Sequence, residues 1–144
     1  MANHNDQLFI LYADKSTNVL YYAKGNNDSF ATLVTFLDVN KNTYTVTAPI
    51  ALCSAYEKLY AIIVQANGLN HFIYDDLNQV WDSQSVFAPD DNLPALCQFN
   101  SDLFLAMVAK KGNAVLFTTW NDDSVKISDK IFRILLRLLI FVVF

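Results

Sequence analysis

Residues 51–61 read Ala51-Leu52-Cys53-Ser54-Ala55-Tyr56-Glu57-Lys58-Leu59-Tyr60-Ala61. Residues 95–105 read Ala95-Leu96-Cys97-Gln98-Phe99-Asn100-Ser101-Asp102-Leu103-Phe104-Leu105. Both run Ala-Leu-Cys, then polar-aromatic-polar, then Leu-aromatic, at a constant offset of 44 residues. A half-copy starts at Asp6-Gln7-Leu8-Phe9-Ile10, 51 residues before Glu57, and lacks the Ala-Leu-Cys strand. Self-similarity at such a period is the mark of a repeat architecture and precedes any residue-level reading.

Each copy continues alike. A polar turn follows at residues 14–18, 66–70 and 110–113. A second run comes next: Val19-Leu20-Tyr21-Tyr22, His71-Phe72-Ile73-Tyr74 and Ala114-Val115-Leu116-Phe117. A second turn, rich in Asn and Asp, precedes an aromatic, Phe30 or Trp81, with Val125 in the third copy. Asn and Asp tolerate left-handed backbone, so this composition reads as short strands joined by tight turns. The apolar runs 8–12, 59–64 and 103–109 barely alternate, as strands buried on both faces do.

The expected fold is therefore all-β. It is built from β-propeller blades, about three four-stranded repeats in an incomplete ring over residues 1–125. A β-sandwich accounts for the strands but not for the 44-residue repeat. Residues 30–36 and 43–47 read as strands flanking a turn at 38–42, placed between the first two copies.

The string Pro94-Ala95-Leu96-Cys97-Gln98-Phe99-Asn100-Ser101-Asp102-Leu103-Phe104-Leu105-Ala106 resembles the blade repeat of sialidase-like and fucose-lectin-like β-propellers. The resemblance covers residues 6–125. It implies a lectin-like, non-catalytic carbohydrate-binding module, of the kind found in fungal and bacterial lectins and in bacterial insecticidal proteins. Sialidases need an arginine cluster for the substrate carboxylate, and residues 1–125 contain no Arg. Fucose-binding relatives use Arg and Glu between blades, and here only Glu57 is present. What the resemblance leaves is a sugar site built from aromatic and Asn side chains.

Charge supports the same exclusions. Residues 1–125 carry a net of −7, and residues 126–144 a net of +3. The acidic body argues against a nucleic-acid partner. Without Arg, a strongly anionic ligand would have to be held by Lys or backbone N–H groups. Cys53, Cys97, His4 and His71 match no metal-ligand spacing, and no cofactor or metal is expected. The acidic turns around Asp75 and Asp122 match no complete calcium loop. No base–nucleophile pair or phosphate loop is visible, so no enzyme is expected. Cys53 and Cys97, at equivalent places in neighbouring units, are expected to be reduced and buried. The polar start of the chain shows no signal peptide, which implies cytoplasmic synthesis or release by another route.

The expected ligand-binding residues are Trp120, Trp81, Tyr22, Tyr74 and Asn121. An indole face suits the apolar face of a pyranose. Trp120 is the better of the two Trp residues, because copies one and two show no aromatic at its sequence place. Trp81 also reads as a core residue like Phe30. Tyr22, Tyr74 and Phe117 share a sequence register and also read as a core stripe.

Three blades leave an open edge and an apolar face. A homo-oligomer is expected, two chains making a six-bladed ring. A truncated remnant, or a tail that covers the face, are the other solutions. The tail, 126–144, places Lys126, Lys130, Arg133 and Arg137 on one side of an expected C-terminal apolar helix. The run 131–144 is too short to cross a bilayer as a helix. It reads as a packed helix, as a membrane-contacting interfacial helix, or as the product of a changed reading frame.

Overall fold

Asn5 and Asp6 both hold left-handed backbone, at φ 48° and 58°, and so do Tyr56 and Glu57, at 50° and 59°. Two consecutive left-handed residues give a turn whose twist matches an antiparallel hairpin. These turns stand 51 residues apart, at the offset of the sequence repeat. The hairpins they close organise the whole chain.

The computed structural model describes residues 1–26, 29–46, 49–65, 68–87, 91–99, 102–109, 114–120 and 134–135. Of these, residues 85–87, 91–93, 99, 108–109, 114–120 and 134–135 are described by their backbone alone. The first sheet holds β1 (Ala2–His4), β2 (Gln7–Ala13), β3 (Leu20–Gly25) and β4 (Val34–Thr35). The second holds β5 (Ala51–Ala55), β6 (Lys58–Gln65), β7 (Gly68–Asp75) and β8 (Val80–Phe87). The third holds β9 (Asp91–Phe99), β10 (Asp102–Ala109), β11 (Ala114–Trp120) and β12 (Ile134–Leu135). Each sheet is an antiparallel meander in chain order. The all-β class is as expected, and no helix occurs among the described residues.

Two expectations change here. The first copy does have its opening strand, the short β1, paired with β2 from Ala2↔Phe9 to His4↔Gln7. In the tail, Ile134–Leu135 is strand and pairs with β11 at Val115↔Ile134 and Ala114↔Leu135. The rest of the helix expected over 126–144 lies outside the described residues. No helix among the described residues is long and apolar enough to cross a membrane.

The sheets stack in chain order, with β1 beside β5 and β5 beside β9. We call the face toward the next sheet trailing and the opposite face leading. Directly opposed residues of an antiparallel pair share a face, and faces alternate along a strand. The trailing face of the first sheet brings Phe9, Leu20 and Tyr22. It meets Leu59, Ala61, Ile63, Phe72, Tyr74 and Trp81 on the leading face of the second. The trailing face of the second sheet brings Ala51, Ala55, Tyr60, Ile62, Val64 and Leu69 against Leu103, Leu105 and Met107 of the third.

β6 is thus buried on both faces, as its unbroken apolar run implies. β2 is not, although its run looks the same. Phe9 is buried, while Ile10 and Tyr12 are 37% and 46% exposed on the leading face. Among the described residues no sheet covers them, and none closes a ring.

The segment 36–46 wedges against the first two sheets. Phe36 N–H donates to Leu20 C=O (2.9 Å), Leu20 N–H to Tyr44 C=O (2.9 Å) and Trp81 N–H to Leu37 C=O (3.0 Å). The expected strand at 43–47 makes only isolated bridges, Val19↔Thr45 and Leu37↔Thr43, and the turn residue Asp38 bridges Trp81 in parallel. Phe36 stacks on Trp81 at 4.6 Å and 17°. Phe30, expected as the counterpart of Trp81, lies exposed instead.

Three Asp-led turns account for much of the Asp content. The Asp14 carboxylate accepts from the N–H and O–H groups of Ser16 and Thr17, which hold its pKa down to about 2. Asp75 accepts from Leu77 N–H, Asn78 N–H and the Asn78 side-chain amide. Asp38 does the same within the wedge. Such short-range bonds are why Asp and Asn favour turns.

Candidate functional site

The hairpin register rearranges the equivalences between copies. Leu59 extends the pairing of β6 with β7 to lie opposite Tyr74, and Leu103 lies opposite Trp120. Trp120 therefore occupies the register place of Tyr74, which sequence alignment had left without an aromatic. In the first sheet that place is Gly25, opposite Leu8. The cause is loop length. The β2–β3 link is residues 14–19, the β6–β7 link 66–67 and the β10–β11 link 110–113. Phe117 pairs with Ala106, so its register counterpart is His71, and Tyr22 and Tyr74 are not equivalent.

Three expected ligand residues do come together, but inside the core. Tyr22 and Tyr74 meet at 5.9 Å, Tyr22 and Trp81 at 6.0 Å, and Tyr74 and Trp81 at 5.0 Å. All three are buried, so their ring faces are covered by neighbours and not open to a sugar. Tyr22 O–H donates to Gln79 C=O (3.3 Å), and Lys24 Nζ donates to the Tyr74 hydroxyl (3.3 Å). Burial, then the hydrogen bond that Tyr74 donates to the Tyr22 hydroxyl, pushes the Tyr74 phenol up. Trp120 sits in β11 by its backbone, and Asn121 lies outside the described residues.

The cysteines are free. Cys53 lies on the trailing face of the second sheet, half-buried, and burial pushes its thiol up. Cys97 is exposed, contrary to expectation. It pairs with Phe104, on the trailing face of the third sheet, which no sheet among the described residues covers.

A polar line that the sequence did not reveal runs from β1 to the second sheet. His4 Nδ1 lies 2.9 Å from Ser54 Oγ, and His4 Nε2 lies 2.9 Å from Asp76 Oδ2. Asn5 Nδ2 donates to the same Asp76 oxygen (3.2 Å). These are Ser–His–Asp residue types in sequence, but the imidazole is 2% exposed and both nitrogens are engaged. The arrangement braces β1 against β5 and the β7–β8 turn. One signal was present: the 51-residue offset places His4 at Ala55, next to Ser54. His4→Ala should lower the unfolding free energy by about 1–3 kcal/mol, because two polar partners lose their bond. Urea denaturation checks this, and an unchanged midpoint would remove the brace from the account.

An open groove of about 410 Å³ lies on the second sheet, lined by Val39, Lys58, Ile73, Tyr74, Asp75, Asp82 and Gln84. Lys58, Ile73, Asp75 and Asp82 share the trailing face of β6, β7 and β8. Gln84 sits at the bulge between the pairs His71↔Ser85 and Phe72↔Ser83. Its amide donates to Asp82 Oδ2 (2.7 Å), which fixes both side chains. Val39, exposed at the tip of the wedge, joins the rim. The signal available in the sequence was the alternation Ile73-x-Asp75 and Asp82-x-Gln84. Among the described residues no group of three or more His, Cys, Asp or Glu could hold a metal.

No known protein family matches the chain, and no curated protein matches its sequence.

Proposed function

We propose that the three sheets are blades of a β-propeller and that the chain is a non-catalytic, lectin-like module that binds a neutral sugar. The groove on the second sheet carries this reading. A pyranose ring presents hydroxyls around an apolar C–H face. Asp82 and Asp75 offer acceptors, Lys58 and the Gln84 amide offer donors, and Ile73 and Val39 offer an apolar floor. Few polar groups placed around apolar contacts are what a small-molecule site needs. The acidic body favours neutral over anionic sugars.

Titration of the labelled protein with fucose, galactose, mannose and N-acetylglucosamine, followed by amide NMR shifts, tests this. Shifts should centre on Lys58, Ile73, Asp82 and Gln84 for at least one sugar. Asp82→Ala should weaken that sugar about tenfold, the loss of one charge-assisted hydrogen bond. Absence of shifts across the panel would leave the chain without a sugar ligand. The uncovered faces of the first and third sheets favour a second reading, a self-assembling module, which bears on the same molecule.

A further inference from the structure

Four positions recur on the trailing faces of the second and third sheets. In the second sheet they are Ala51, opposite Ile62, and Cys53, opposite Tyr60. In the third they are Ala95, opposite Ala106, and Cys97, opposite Phe104. Ala51, Tyr60 and Ile62 are buried under Leu103, Leu105 and Met107 of the third sheet. Among the described residues their counterparts have no such cover: Ala95 and Cys97 are exposed, and Phe104 and Ala106 are half-buried. At the other end of the stack, the leading face of the first sheet bears Leu8, Ile10 and Tyr12. These stand at the repeat places of Leu59, Ala61 and Ile63, and of Leu103, Leu105 and Met107.

We infer that these two faces cover one another between copies of this chain. The trailing face of the third sheet packs on the leading face of the first sheet of another copy. The packing of trailing on leading face already occurs twice within the chain, and the uncovered pair presents the same residue places in the same order. A second copy therefore supplies the surface complementary to each of these two faces. The contact is head-to-tail, so it either closes a ring or grows a filament. The closing number rests on the propeller reading. Propellers commonly hold about four to eight blades, and six is the multiple of three in that range, so two copies close the ring.

The test uses the full chain, Ile10→Asp and Phe104→Asp, with mass read by light scattering. The wild type should run at twice 16.3 kDa. Each variant spoils one face and should run as a monomer. Ile10→Asp keeps an intact third sheet and Phe104→Asp an intact first sheet, so mixing the two should restore a one-to-one dimer. In a Cys53→Ser background, maleimide labelling of Cys97 should be about tenfold slower than with Ile10→Asp added, because reactivity follows exposure. Circular dichroism verifies that the variants fold, since Ile10 is already partly exposed.

A monomeric wild type overturns the inference. So do variants that stay dimeric, or a mixture that fails to pair, which is the signature of a like-face contact. A monomer with Cys97 protected puts the tail on that face and overturns it equally. Sugar binding by a monomeric protein would sink this inference alone and leave the proposed function standing.

Discussion

Replacing Trp81 with Ala should cost about 3–5 kcal/mol of stability, as large-to-small changes at buried aromatics do. The indole is fully buried, stacks on Phe36 and touches Tyr22 and Tyr74 edge-on or tilted. It therefore joins the wedge to both of the first two sheets. A typical domain has about 5–15 kcal/mol in all, so the variant should be partly unfolded near body temperature. One detail separates this site from an ordinary core Trp. Its Nε1–H is buried with no acceptor. An unmet donor costs about 1–3 kcal/mol, so Trp81→Phe should be much milder than Trp81→Ala. Urea melts followed by far-ultraviolet circular dichroism measure both. A Trp81→Ala loss below about 1 kcal/mol would mean the wedge is not pinned by this ring.

The second large effect belongs to Asp38. Its Oδ1 accepts from Asn40 N–H (2.9 Å) and Asn42 N–H (2.8 Å). Its Oδ2 accepts from Asn42 Nδ2 (2.8 Å) and Tyr44 O–H (2.8 Å). Burial pushes the carboxyl up, but these four bonds outweigh it and hold the pKa below 3.8. Asp38→Ala should cost about 3 kcal/mol, since four donors lose a charged acceptor.

The pH dependence follows from that direction. A carboxyl with a lowered folded pKa stabilises fully above its unfolded value of 3.8 and loses that contribution as pH falls through the folded value. Asp38→Asn should therefore flatten part of the acid limb of a stability–pH curve, leaving the parts due to Asp14 and Asp75, which are also lowered. Tyr44 works on the opposite side. Burial first, then the Asp38 bond and charge, pushes its phenol up to about 12. Its contribution is whole below pH 10 and falls away between 10 and about 12. An acid limb identical in wild type and Asp38→Asn would contradict the role given to Asp38.

The sheets were legible because their boundaries are written in local chemistry. The Asn5-Asp6 and Tyr56-Glu57 turns need residues at fixed offsets, and the unbroken apolar run of β6 announces burial on two faces. The same run in β2 was misleading, because whether a face is covered depends on what stands beyond it. Phe30, the sequence counterpart of Trp81, is exposed while Trp81 is buried against Phe36, because the wedge is an insertion without a counterpart in the repeat. Links of unequal length hid the match between Tyr74 and Trp120, since a strand's register is fixed by hydrogen bonds and not by sequence count. The His4 line needed residues 50 and 72 positions apart, and only the three-dimensional stack brings them within reach.

Among the described residues every hydrogen-bonded strand pair of the three sheets joins neighbours in sequence, and the sheets stack in chain order. Stability in such an array is a sum of unit and neighbour contributions. The middle sheet has two neighbours and the outer ones have one. In a single copy, such as the Ile10→Asp variant, unfolding should accordingly peel inward from the outer sheets, and the amides of β6 and β7 should be the last to exchange with solvent.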